Sequence, residues 1–364
     1  MYENPFTPSF GEIPAHLAGR TQIVSDLIRA LSARRRRPEL TTILVGARGT
    51  GKTTLLSLLA EKAEQLGWVS VGTTALPGML EDIELQVGHR AEHLLQAPAE
   101  TRLTGIETPI GGISLEHAPR ERGNWRLRMG RLLEQLGEKD VGLLLTVDEV
   151  DPSLDEMIEL AAIYQHFVRD GYRVALLMAG LPHNVSALLS NKTVSFLRRA
   201  QNVRLGRVAD FEVEDALRRT IEDNGRQADA EGLRRAVTAI QGFPFLMQLV
   251  GFRAWDAHPA ETAISLDDFD RGIELARREM EDRILEATYR ELSPEDRRFA
   301  RAMLADEGDS RIADLVTRLD RSTAQVAQYR RRLIDAGVIG ERERGVVGFD
   351  LPYFREYLSE RAEE

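Results

Sequence analysis

The 364 residues suffice for two to three domains at roughly 150 residues each, and 43% hydrophobic with 29% charged residues excludes wholesale disorder. A net charge of −10, from 48 Lys and Arg against 58 Asp and Glu, argues against a chain-wide basic surface for nucleic acid. The absence of cysteine excludes disulfides, thiol catalysis and cysteine zinc sites. No stretch approaches the ~18 consecutive apolar residues of a membrane span. The start, MYENPFTPSF, lacks the basic-then-apolar pattern of a secretory signal, so no membrane partner and a cytoplasmic location are expected. His89 and His93 share a helix face at i, i+4, but the intervening text lacks the glutamate of HExxH and no third ligand is evident; they read as helix-surface residues.

In chain order, residues 1–20 are rich in Pro, Phe and Gly and read as an extended arm leading into a helix over Gln22–Ala33. The basic run Arg34–Arg37, stopped by Pro38, is a solvated helix end. Thr41–Val45 is apolar and partly β-branched without polar alternation, the pattern of a strand buried on both faces of a parallel sheet. A glycine-rich loop and a helix over Lys52–Leu66 follow, then a strand over Trp68–Val71 and a helix over Leu80–Leu95. Between Gln96 and Asn124 the pattern dissolves into Pro, Gly and Thr, with a β-hairpin predicted around Gly111-Gly112. Helix Trp125–Gly137, strand Val141–Val147, helix Leu154–Arg169, strand Tyr172–Ala179, a helical stretch near Val185–Ala200 and strand Asn202–Leu205 continue the alternation. Such alternation over residues 20–207 predicts an α/β fold built on a parallel sheet.

After Asp210 the strands are expected to stop. Phe211–Asn224, Ala230–Gln241, Pro244–Trp255 and Leu266–Thr288 read as amphipathic helices of an all-α unit. Ser293-Pro294-Glu295 is a helix start that opens a third unit. Helices over Arg297–Ala305, Ile312–Leu319 and Ser322–Ala336, then a hairpin of Val338–Glu341 with Val346–Phe349, are the layout of a winged helix. The domains expected are an arm over 1–20, a core over 21–210, a helical lid over 211–290 and a winged helix over 291–364.

Gly46-Ala47-Arg48-Gly49-Thr50-Gly51-Lys52-Thr53 matches GxxxxGK[ST] between a predicted buried strand and a predicted helix, the context that motif requires. Its glycines let backbone N–H groups approach phosphate oxygens, and the helix N-terminus adds a favourable dipole. Lys52 is expected to reach the β- and γ-phosphates of ATP, and the Thr53 hydroxyl to ligate Mg²⁺. Thr54 completes the loop. About 95 residues on, Leu143–Val147 ends in Asp148-Glu149. Asp148 is the expected magnesium partner and Glu149 the general base for the attacking water.

In the last unit the charge is locally basic. Arg311–Gly345 holds eight arginines and five acids, a balance of +3, whereas Pro294–Glu364 holds 13 and 15. Thr323, Gln325 and Gln328 are candidates for base edges in double-stranded DNA, with Arg330, Arg331, Arg332 and Arg344 on phosphates. A winged helix that contacts a partner protein instead is the competing reading.

The order Phe10…Pro14…Gly19-Arg20, GARGTGKTT, LLLTVDE, a helical lid and a winged-helix-like tail resembles the AAA+ ATPases. Within them the chain looks most like the branch of origin-recognition-complex-like and STAND ATPases. That resemblance implies a P-loop NTPase parallel sheet with helices on both faces, ATP or ADP with Mg²⁺ as cofactors, and ATP hydrolysis coupled to DNA binding as in replication initiators. The alternative it implies is a STAND-like switch whose winged helix contacts a partner protein; a third, lesser reading is the regulatory ATPase of a mobile element. Gly242-Phe243-Pro244 resembles the GxP motif that holds a STAND lid near the nucleotide, which makes Pro244 a site candidate; a glycine ending one helix and a proline starting the next would also account for it. The stretch matching Ile13–Arg20 lines the adenine pocket in such families, which nominates Leu17 and Gly19. Arg198 and Arg199 stand where relatives present an arginine finger to a neighbouring subunit, implying a homo-oligomer. The resemblance fails at Met178-Ala179-Gly180-Leu181, where a polar sensor residue is expected, and slow turnover is the consequence.

Overall fold

The computed structural model describes residues 2–9, 11–95 and 125–361. Phe10 and the hairpin expected around Gly111-Gly112 lie outside them. The first region runs α1 (Thr21–Leu31), β1 (Thr41–Val45), α2 (Lys52–Gln65), β2 (Val69–Thr74), α3 (Met79–Leu95), α4 (Trp125–Glu138), β3 (Leu143–Asp148), α5 (Asp155–Arg169), β4 (Val174–Gly180), α6 (Pro182–Ser190) and β5 (Gln201–Arg204). The five strands form one parallel sheet in the order β2-β3-β4-β1-β5, a P-loop NTPase fold. Alternation of side chains along a strand explains why these runs read as continuously apolar. Ile43 packs with the α3–α5 layer, while its neighbour Leu44 packs with α1 and α2 on the opposite face. β4 is buried along its whole length and separates β1 from β3. The chain ends that follow β1 and β3 therefore face each other across its tip.

The helical part comprises α7 (Asp210–Glu222), β6 (Gln227–Ala228), α8 (Ala230–Ile240), α9 (Pro244–Ala257), β7 (Ala263–Ile264) and α10 (Leu266–Met280). The expectation that strands stop after Asp210 is corrected here: β6 and β7 pair in parallel. Two residues each are too short for alternation to show. α10 continues through a π-helical turn, Glu281–Leu285, into α11 (Glu286–Glu291).

The C-terminal part holds α12 (Pro294–Ala302), β8 (Ser310–Arg311), α13 (Ile312–Leu319), α14 (Thr323–Asp335), β9 (Ile339–Glu343), β10 (Val346–Phe349) and α15 (Phe354–Glu360). Its strands form an antiparallel sheet in the order β8-β10-β9. α14 starts with a capping box in which Ser322 and Gln325 satisfy each other's backbone N–H groups. β8 and α15 are additions to the sequence reading.

One apolar core runs from Phe6 through α7–α10 and on to Leu358, so the helical and C-terminal parts share their interior. Phe6 and Tyr2 meet Trp255 edge-on at 6.3 and 6.4 Å, which fixes the arm along α9. The C-terminal part also touches the first region. Arg207 donates to the Phe349 and Asp350 carbonyls at 3.1 and 3.0 Å, and at the end of α11, just before that part, Glu291 pairs with Arg48 at 2.7 Å.

Candidate functional site

The loop after β1 turns on glycines that nothing larger could replace. A Cβ on Gly46 would stand 2.5 Å from the Thr50 hydroxyl, and one on Gly49 (φ +76°) 2.6 Å from the Phe243 ring. Gly51, at φ +83°, is the left-handed N-cap of α2. Lys52 opens that helix, buried, with Nζ donating to the Gly46 and Ala47 carbonyls at 3.0 and 2.9 Å. Burial pushes its ammonium pKa below the usual lysine value, against the pull of Glu149 and Asp148.

β3 delivers Asp148 to the other side of the β4 tip. The Thr53 hydroxyl donates to Asp148 Oδ2 at 2.5 Å, so two side chains 95 residues apart in sequence meet at one point. Asp148 Oδ1 accepts the Glu149 backbone N–H at 2.9 Å. Glu149 itself is exposed and sits at φ +52°, a left-handed conformation rare for a non-glycine residue, and it faces the cavity beside the loop. Strain of this kind persists where the surroundings impose it, commonly at working sites.

That cavity, about 440 Å³, is walled by the arm, the phosphate loop, the start of α9 and the π-helical turn. Its volume suits a nucleotide-sized ligand. Arg48, Gly49, Thr50, Gly51, Lys52, Thr53 and Thr54 line it, as do Leu17 and Pro244. The Phe245 backbone N–H donates to the Gly49 carbonyl at 3.2 Å, so the Gly242-Phe243-Pro244 turn both separates α8 from α9 and seats α9 on the phosphate loop. Three of the expected residues lie elsewhere: Gly46 packs under the loop against Thr50 and Leu205. Ala47 lines a second cavity toward the C-terminal part. Gly19, at φ +67°, packs against Val208 and makes the turn that points its neighbour inward.

That neighbour, Arg20, lies in the Ile13–Arg20 stretch of the sequence expectation without being nominated singly, and it lines the cavity. It is 8% exposed, its guanidinium donates to the Gly206 carbonyl at 3.0 Å, and burial lowers its pKa. Thr7, Met247 and Gln248 also line the cavity unannounced. Only the GR dipeptide offered a signal; the others become visible when the arm folds onto α9.

Arg198 and Arg199 lie on a short 3₁₀ helix, Ser195–Arg199, both exposed and away from this chain's own cavity. Arg198 donates to the Leu189 carbonyl at 2.9 Å. In the C-terminal part Thr323, Gln325 and Gln328 are exposed on α14, with the Gln325 oxygen accepting from Ser322. Arg330 lies 3.5 Å from Glu341, Arg331 3.8 Å from Asp335, and Arg344 is exposed at the β9–β10 turn. Arg332 is less free as a phosphate contact. Its guanidinium pairs with the buried Asp296 at 2.7 and 3.0 Å, so although its side chain is 41% exposed a phosphate would have to compete with that carboxylate.

Among the described residues, no helix is long and apolar enough to cross a membrane. No curated protein matches the sequence. Solved structures share its fold at low identity. The Walker-type ATPase of Pyrococcus abyssi superposes with a TM-score of 0.68 at 15% identity, covering 94% of this chain and 96% of that one. The ADP form of the Aeropyrum pernix ORC2 protein gives 0.55 at 16%, covering 98% and 97%. Cdc6p from Pyrobaculum aerophilum gives 0.50 at 16%, covering 98% of each. Residues 282–358 match a domain of unknown function, DUF8462. Residues 16–177, the segment that carries the phosphate loop and Asp148, match the AAA ATPase domain family.

Proposed function

We propose that the chain binds and slowly hydrolyses ATP and couples its nucleotide state to binding of double-stranded DNA. The observation that carries the nucleotide half is the meeting of Lys52, Thr53 and Asp148 beside a cavity of about 440 Å³. Thr53 and Asp148 are the residues that would hold Mg²⁺, an ion that supplies charge neutralisation between the β- and γ-phosphates. Lys52 leaves the Gly46 and Ala47 carbonyls for phosphate oxygens. Glu149 orients water against the γ-phosphate and takes its proton. Leu17, from the arm, and Pro244, from α9, flank the nucleoside. The absence of a polar side chain at the end of β4 is the reason for slow turnover.

The DNA half rests on the C-terminal part. The helices α12, α13 and α14 with a three-stranded antiparallel sheet, followed by α15, support a winged helix over 291–364, following a core over 21–210 and a lid over 211–290. Exposure of Thr323, Gln325 and Gln328 supports their reading as base-edge contacts, and exposure of Arg331 and Arg344, with Arg330 partly exposed, supports theirs as phosphate contacts. Exposure of Arg198 and Arg199 suits a finger offered to a neighbouring copy. The test is a duplex-DNA titration over a salt series with ATP, with ADP and with neither. Nucleotide-dependent affinity that falls steeply with salt is expected. Affinity indifferent to nucleotide, or absent at low salt, removes the coupling and turns the winged helix toward protein contacts.

A further inference from the structure

Two polar atoms in the wall of the nucleotide cavity are buried without a partner among the described residues: Nε2 of Gln248 and Oγ1 of Thr7. Gln248 is 7% exposed and sits one helical turn beyond Pro244 on α9. Its Oε1 accepts the Thr7 backbone N–H at 2.9 Å. A backbone N–H requires an oxygen opposite it, so this contact fixes which way the amide points and leaves the NH₂ as the unused donor. Buried donors are almost always satisfied, and one left over in a ligand cavity is a donor kept for the ligand.

The position says which part of the ligand. α9 touches the phosphate loop at Phe245, and Gln248 lies three residues, about 4.5 Å, further along the helix. Thr7 lies upstream in the arm from Arg20, whose guanidinium reaches Gly206 beside the phosphate loop. The pair therefore stands at the end of the cavity away from Lys52, where the base of a loop-bound nucleotide falls. There the two groups offer a fixed donor beside a hydroxyl that can accept. Adenine presents the complement, an acceptor ring nitrogen next to the donor N6 amine.

We propose that Gln248 and Thr7 read the base: the Gln248 amide donates to a ring nitrogen of adenine and the Thr7 hydroxyl accepts from N6. The inference rests on the nucleotide reading above and adds base recognition to it. Calorimetric titration with ATP, 7-deaza-ATP and 1-deaza-ATP tests it on the full chain and on Gln248→Glu. At pH 8 the carboxylate keeps an oxygen for the Thr7 N–H and has no proton to donate, and the charge it adds acts on ATP and its analogues alike and so drops out of their ratio. One deaza analogue is expected to bind the unaltered protein about 3- to 10-fold more weakly than ATP, the value of one neutral hydrogen bond. In Gln248→Glu, ATP weakens by at least as much and its advantage over that analogue disappears. Because the readout is a ratio of two ligands on one preparation, partial unfolding cannot imitate it. Equal binding of ATP and both analogues by the unaltered protein, or an advantage that survives in Gln248→Glu, overturns base reading while leaving the phosphate loop in place. An unaltered protein that binds no ATP overturns the nucleotide reading and this proposal together.

Discussion

Gly337, in the turn that closes α14, lies against Ala47 of the phosphate loop so closely that a Cβ at 337 would stand 2.2 Å from the Ala47 Cβ. The Ala47 carbonyl, on the same residue, accepts Lys52 Nζ at 2.9 Å and the Thr50 hydroxyl at 2.8 Å. One residue therefore meets the C-terminal part through its methyl group and the phosphate-binding lysine through its backbone. A ligand that drew Lys52 off that carbonyl would act on the residue against which the C-terminal part is seated.

Gly337→Ala should loosen that seat. Gly337 sits at φ +72°, where an alanine costs about 1 kcal/mol in backbone strain, and the collision with Ala47 adds to it, for about 1–3 kcal/mol in all. Urea unfolding and limited proteolysis near residue 291 report the change. Adding Ala47→Gly removes the methyl–methyl collision and should recover more than about 0.5 kcal/mol, the non-additivity of touching residues. A strictly additive pair would assign the whole effect to backbone strain and leave the contact without weight.

Glu149→Gln should retain bound ATP and slow its hydrolysis by about 10²–10⁴, the usual cost of losing a general base. Asp148, not Glu149, pairs with Thr53, so the ion-holding end of the site stays intact. Single-turnover hydrolysis beside a nucleotide-binding titration separates the two effects. A rate within a factor of two of the unaltered protein would mean that another group activates the water.

How much of this was legible depended on whether the signal was local. β1 and α13 carry the bounds that periodicity predicted, Thr41–Val45 and Ile312–Leu319, because a doubly buried run and a capped amphipathic turn are both written in consecutive residues. The Thr53–Asp148 contact was legible for another reason: its two motifs each dictate their own local geometry. Gln248 was not. Nothing about a glutamine in an apolar helix says that a threonine 241 positions earlier will fix its amide. The partner of Arg332 was not legible either, because only the fold brings Asp296 to it. β6 and β7 escaped because two-residue strands owe their existence to the helices around them.

Asp306 supplies a pH dependence. The Arg318 guanidinium, one of its contacts at 2.6 Å, holds the carboxyl down to about 2, against an ordinary value of 3.8. A lowered folded-state pKa means stability that is present above about pH 4 and is lost as pH falls toward 2. Both side chains are partly solvated, so the contribution is about 1 kcal/mol. Asp306→Asn should cost that much at pH 7, with the gap from the unaltered protein narrowing between pH 4 and pH 2 in urea unfolding. A gap that is constant down to pH 2 would show that the pair does not titrate with folding.

The tail arginines divide by what already holds them. On a helix, three consecutive positions span about 200° of arc, so Arg330, Arg331 and Arg332 cannot all face one duplex. Arg332 is held by an ion pair with Asp296, which is 4% exposed. Arg331 and Arg344 are the freest, with Arg330 held loosely by Glu341 at 3.5 Å. If the C-terminal part binds DNA, Arg331→Ala and Arg344→Ala should each flatten the slope of log affinity against log salt by about 0.9, one phosphate contact apiece. Arg332→Ala should leave that slope alone and lower stability by about 1–3 kcal/mol, because it strands a buried carboxylate. A slope that responds to Arg332 and ignores Arg331 and Arg344 would place the duplex on another face of the helix; slopes that ignore all three, in folded variants, would take DNA away from this surface.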